Sequence, residues 1–154
     1  MKVSLALLLC ACCIAAGCGG SASTSAKEPS IAARLDVAQR FAEAIFRGKA
    51  DAAITLLVHP DDPALSWMAT TAAAPWKRHH AAVHLSVARS SRSWVFGYAG
   101  THPHKDGGFE EVRGDIVVVV ADSPKGSGVE FFTLRNKNVQ FKTHHDSQLL
   151  PSNR

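Results

Sequence analysis

Between residues 31 and 47 the apolar side chains recur every three or four positions, and from residue 83 onward they recur at every second one. One segment can satisfy only one of these periods, since side chains repeat about every 3.6 residues on a helix and about every two on a strand. The chain must therefore build helices first and strands afterwards. That order predicts an α+β domain with its helices packed on one curved antiparallel sheet.

The first helix is the better marked. Ser30 is a natural N-cap, and Ile31, Leu35, Ala38, Phe41, Ala42, Ile45 and Phe46 fall in one stripe about 140° wide at about 100° per residue. Asp36, Gln39, Arg40, Glu43 and Arg47 take the other side, where Asp36/Arg40 and Glu43/Arg47 are i,i+4 pairs with the acid first. Gly48 supplies the left-handed residue that stops the helix. A second helix is expected over residues 50–58, with Ala53, Ile54 and Leu57 on one side, ending before the turn Pro60-Asp61-Asp62-Pro63. A third, over 64–74, carries Leu65, Trp67 and Met68 and ends at Pro75.

Five strands are expected next. Val83-x-Leu85-x-Val87 and Trp94-x-Phe96-x-Tyr98 alternate around a turn at residues 90–93. A loop over 101–108 leads to residues 112–121, whose run of Ile116 and four valines is apolar on both faces, as in a central strand. The last two strands, 129–135 and 139–145, are joined by a turn at Asn136-Lys137-Asn138. Phe131-Phe132 sends one ring to the core and the other to the far sheet face, where a homodimer contact has room to form.

All four cysteines (Cys10, Cys12, Cys13, Cys18) lie in the first 18 residues, so the domain downstream has no internal disulfide and no thiolate metal site. They sit in a segment that starts Met1-Lys2, continues as an apolar run over residues 3–16 and ends Gly17-Cys18-Gly19-Gly20. One positive charge, 14 apolar-run residues and small residues at the break match the pattern of a secretory signal peptide, too short for the roughly 20 residues of a spanning helix. Ile14-Ala15-Ala16-Gly17-Cys18 resembles the bacterial lipobox, with Ala15 where that family usually has Leu. The resemblance implies cleavage before Cys18 and a diacylglyceryl group on its sulfur, holding the protein at the outer face of a cell membrane through its acyl chains, palmitate among them. Residues 19–30 carry no large apolar side chain and are read as a tether. Loss of Lys2 leaves 16 Lys+Arg against 13 Asp+Glu, too weak a balance to imply nucleic acid.

The pattern Val37-Ala-x-x-Phe41-x-x-Ala44-Ile45-x-x-Gly48-x-Ala50-Asp51-Ala-Ala-Ile54-x-Leu56-Leu57, followed by hairpins, resembles the nuclear-transport-factor-2-like superfamily over residues 31–147. That resemblance implies three N-terminal helices on a curved sheet of about five strands, forming a cone. The family's usual Gly-x-Trp near the last strand is absent, and Asn136-Lys137-Asn138 stands there instead. A cystatin-like helix-on-sheet fold is the nearest competitor. The chain then divides into a signal peptide (1–17), a lipidated cysteine with tether (18–30), the α+β domain (31–147) and a tail (148–154).

Enzymes of that superfamily place a His/Asp acid–base pair in the mouth of the cone. Here the matching candidates are His102, His145 and Asp115, with Tyr98 as a donor, which gives a polyketide-cyclase or isomerase-like alternative. The ordinary reading puts the histidines at solvated strand ends and pairs Asp115 with Arg113 across a bend at Gly114. His79, His80, His84, His102, His104, His144 and His145 raise a metal-binding alternative, yet no carboxylate or thiol completes a recognised ligand pattern, so no metal and no cofactor is assigned. Trp76-Lys77-Arg78-His79-His80 would suit anionic headgroups or wall polymers, against a plain solvated link with its Trp packed inward.

The reading that results is a membrane-anchored extracytoplasmic lipoprotein whose domain is a non-catalytic module. It binds a small molecule or an envelope protein between the first helix and the sheet, lined by Phe41, Ile45, Trp67, Trp94, Phe96 and Tyr98.

Overall fold

The computed structural model describes residues 28–103 and 107–142. Helix α1 (Ile31–Phe46) begins where the Ser30 hydroxyl accepts the Ala33 N–H at 3.1 Å. It ends in a Schellman arrangement, with Lys49 N–H bonded to Ala44 O (2.9 Å) and Gly48 N–H to Ile45 O (3.0 Å) at a Gly48 φ of 68°. Both i,i+4 ion pairs form, each at 3.5 Å. Ile31, expected on the buried stripe, is 58% exposed, and Arg34 takes a buried place in its stead. At about 100° per residue Arg34 lies inside the apolar stripe, so its charge needs a partner there. The partner is Asp122, which accepts from Nε at 3.1 Å and Nη2 at 2.6 Å, while Glu28 accepts from Nη2 at 2.6 Å. Ser127 donates to the same carboxylate and Arg92 approaches it at 3.4 Å. This cluster ties the start of α1 to one end of the sheet.

Helix α2 (Ala50–Ile54) is shorter than the expected 50–58. Beyond it the backbone turns extended to reach the sheet, because Val129 N–H bonds to Leu56 O and Val58 N–H to Val129 O, which no helical continuation would allow. Helix α3 (Pro63–Ala73) is capped by the Asp62 carboxylate, which accepts from Ala64 and Leu65, and a 3-10 turn (Ala74–Trp76) follows.

The strands β1 (Ala82–Ser90), β2 (Ser93–Pro103), β3 (Phe109–Ser123) and β4 (Gly126–Lys142) form one antiparallel sheet in the order β1-β2-β3-β4. Among the described residues the sheet has four strands, not five. Residues 129–135 and 139–142 belong to a single strand, and the expected turn at Asn136-Lys137-Asn138 lies within it. Gly114 pairs with Asn136 and Arg113 with Asn138, so Lys137 is an inserted bulge residue. The physical reason is the length of β3, which starts at Phe109 and offers β4 an unbroken ladder partner. β2 likewise runs on to Pro103, shortening the expected loop.

Helices cover one face of the sheet. Trp94, Phe96 and Tyr98 of β2, Ile116, Val118 and Val120 of β3 and Phe132 of β4 are buried there with Phe41, Ile45 and Phe46 of α1. Phe41 meets Phe132 at 4.9 Å between centroids, and Phe46 stacks on Tyr98 at 4.1 Å and meets Trp76 edge-on at 5.4 Å. At about 25 cal/mol per Å² and about 150–250 Å² per ring, each buried ring removes roughly 4–6 kcal/mol worth of apolar surface from water. Phe131 and Phe132 part as expected, at 49% and 1% exposure. Trp76 packs inward as the plain reading of its motif predicts.

Candidate functional site

The edge of the core opens as a depression of about 230 Å³ between α3, the 3-10 turn and the sheet. Thr71 and Ala72 come from α3, Pro75 and Trp76 from the turn, Tyr98 from β2, Glu110 and Val112 from β3, and Leu134 and Asn136 from β4. Each part is placed by a local cause. Pro75 closes α3 and starts the turn that tucks Trp76 beneath Gly100, whose missing Cβ would lie 2.8 Å from the Trp76 ring. Gly114, opposite Tyr98 in the ladder, leaves the space in which the phenol lies, because a Cβ there would meet the Tyr98 hydroxyl at 2.6 Å. Asn136 continues the alternation of Phe132 and Leu134 and so comes level with Gly114 on the helix side, just before the Lys137 bulge. The Tyr98 hydroxyl donates to Asn136 Oδ1.

Burial raises the Tyr98 pKa above the ordinary phenol value, and the charge of Asp115 adds to that shift. The phenol is thus held as a neutral donor. Glu110 brings a carboxylate to the same depression, so an aromatic wall, a hydroxyl–amide pair and one acid converge on it.

Of the six residues expected to line a ligand site, Tyr98 alone lines this depression. Phe41, Ile45, Trp94 and Phe96 fill the core at 0–1% exposure. Trp67 is a correction, being 68% exposed. α3 turns Ala69 and Ala73 inward, and Trp67 projects about 160° away from Ala69 around the helix. Asp115 is a second correction. Gly97 pairs with His84 on one side and Asp115 on the other, and a Cβ on Gly97 would strike the His84 ring at 2.6 Å. Asp115 therefore shares the outer face with His84, away from the depression. Arg113 pairs with Glu111 at 3.9 Å. His102 belongs to β2 in register with Glu110, while its side chain, like the whole of Cys18, His104, His144 and His145, lies outside the described residues. Among the described residues no group of three or more metal-binding side chains converges, and no helix is long and apolar enough to cross a membrane.

Glu110, Asn136 and Trp76 are the site residues that the period argument misses. Gly114 within a strand was the available signal, because a strand glycine marks a close approach or a neighbouring bulge.

No family model and no curated protein matches the chain. A crystal structure from Novosphingobium aromaticivorans, named a "putative aromatic ring hydroxylase", superposes with a TM-score of 0.50 at 15% identity, covering 73% of this chain and 93% of that one. The likeness is one of fold, and it agrees with the helices-on-one-sheet architecture.

Proposed function

We propose that the protein is a lipid-anchored, extracytoplasmic binding module of the nuclear-transport-factor-2-like type, taking a small, flat, largely apolar ligand in the Trp76–Tyr98 depression. The carrying observation is the convergence there of Trp76, the neutral Tyr98 hydroxyl with Asn136, and Glu110. The mixture of apolar wall and few polar groups suits small-molecule recognition. Binding is favoured over acid–base chemistry because the Tyr98 pKa is raised and Asp115 faces the other way. The fold likeness to the named hydroxylase supports the architecture of this reading and nothing of its chemistry. The outer sheet face, where Phe131 and Val87 are 49% and 55% exposed, supports a homodimer contact as part of the same proposal.

The anchor rests on the segment ending at Cys18. Replacing Cys18 with Ser should release the chain from the membrane fraction and abolish acyl labelling, and unchanged fractionation would refute the anchor. Filling the depression by Ala72→Trp should remove saturable binding of 2-naphthylmethanol in equilibrium dialysis. Equal binding by that variant would refute the pocket.

A further inference from the structure

Beside the depression, and sharing Pro75 with it, lies a second groove of about 310 Å³ lined by Ala74, Pro75, Lys77, Arg78, His79 and Pro103. Its only charged or titratable lining groups are a lysine, an arginine and a histidine. The ion pairs among the described residues use Arg34, Arg40, Arg47, Arg92 and Arg113, and neither Lys77 nor Arg78 takes part in any of them. We propose that this shelf binds the anionic end, a carboxylate or sulfonate, of the ligand whose flat apolar part lies against Trp76 and Tyr98.

This deepens the reading of the depression as a ligand site and rests on it. The two surfaces are continuous through Pro75, and Trp76 and Lys77 are consecutive, so one small molecule can span both. Electrostatics fixes its direction. The guanidinium of Arg78 offers the planar fork that a carboxylate matches and Lys77 adds a point charge, whereas the depression itself is lined by no lysine or arginine. A membrane headgroup fits less well. The chain enters α1 at Glu28, which Arg34 holds together with Asp122 near the end of β3, while Pro103 pairs with Phe109 at the beginning of that strand. At about 3.3 Å per residue the two ends of β3 stand roughly 40 Å apart, so the shelf lies at the opposite end of the domain from the anchor side.

The test is equilibrium dialysis of the full chain with 2-naphthoate and with neutral 2-naphthylmethanol, comparing wild type with the double variant K77Q/R78Q. Circular dichroism should show both chains equally folded, since the two replaced residues are exposed. Naphthoate should bind more tightly than the alcohol, weaken about tenfold in the variant and weaken in 0.5 M salt, with the alcohol unmoved in both. If naphthoate binds no better than the alcohol, or equally well to the variant, the shelf proposal is overturned and the depression stands. If the alcohol does not bind, sulfate titration followed through the His79 ring resonances separates the two. A Lys77/Arg78-dependent shift keeps the shelf and sinks the depression, and no shift sinks both. Loss of binding to phosphatidylglycerol vesicles in the variant, with naphthoate binding unchanged, would overturn the proposal in favour of a membrane contact.

Discussion

Gly48 is the residue at which one methyl group should do most harm. Its φ of 68° lies in the left-handed region, and an added Cβ would stand 2.5 Å from Lys77 Cα, 2.6 Å from Lys77 N and 2.7 Å from Trp76 C. All three are backbone atoms, which cannot rotate away as a side chain can. Gly48→Ala carries about 1 kcal/mol of left-handed strain and about 1–3 kcal/mol of overpacking, offset by about 0.4–1 kcal/mol from a stiffer unfolded chain. The net loss is about 1–3.5 kcal/mol, or roughly 4–14 °C in melting temperature for a domain of this size. Gly107, with a φ of 84° and nothing within 4 Å of its added Cβ, is the control. There strain and unfolded-state stiffening nearly cancel, so Gly107→Ala should cost at most about 1 kcal/mol. Urea unfolding followed by circular dichroism measures both. Asparagine, which tolerates the left-handed region at an ordinary helix end, should fail to rescue position 48, since it collides as alanine does. Equal losses for Gly48→Ala and Gly107→Ala, or a Gly48→Asn variant as stable as wild type, would refute the close approach of α1 to Trp76-Lys77. That approach also positions the candidate site.

Tyr98 is the sole tyrosine, so alkaline absorbance at 295 nm reports it alone. Its midpoint should lie above 10, and Asp115→Asn should bring it part of the way back, because burial is the larger cause. A raised phenol pKa contributes stability that is fully present below the unfolded value near 10 and lost as pH rises through the folded one, so unfolding should become easier in that alkaline window in wild type and not in Tyr98→Phe. The Asp122 carboxyl is held below its ordinary value of 3.8, first by its hydrogen bonds from Arg34 and then by Ser127. It therefore contributes stability present above about pH 4 and lost as pH falls through the folded value. Asp122→Asn should lower the urea midpoint at pH 7, with the gap from wild type closing below pH 4; a gap that persists there would count against the clamp. Trp67→Ala, on the exposed side of α3, should change stability by no more than about 0.5 kcal/mol, and a larger loss would contradict its outward placement.

What this chain's residues decided alone is local. Ser30, the stripe of α1 and Gly48 define one helix because capping, i,i+4 contact and left-handed termination each involve residues within a few positions of one another. Alternation likewise told which side of β2 Trp94, Phe96 and Tyr98 share, since side chains change face at every residue whatever the partner strand. The tertiary structure decided the rest. Whether Asn136-Lys137-Asn138 turns or continues depends on the reach of β3, a strand more than a dozen residues away in sequence, and a second bulge at Glu130 sets Val129 and Phe132 both toward the helices. Glu110 lies before the expected start of its strand at 112, and only pairing with β2 and β4 extends β3 back to it and so sets it on the face opposite Asp115, in the depression. Arg34 falls within the apolar stripe of α1, and a carboxylate 88 residues away joins Glu28 in making its burial tolerable. Periodicity fixes which side a residue faces within its own segment. Long-range pairing fixes what lies on that side, and the candidate site is made of the second kind of information.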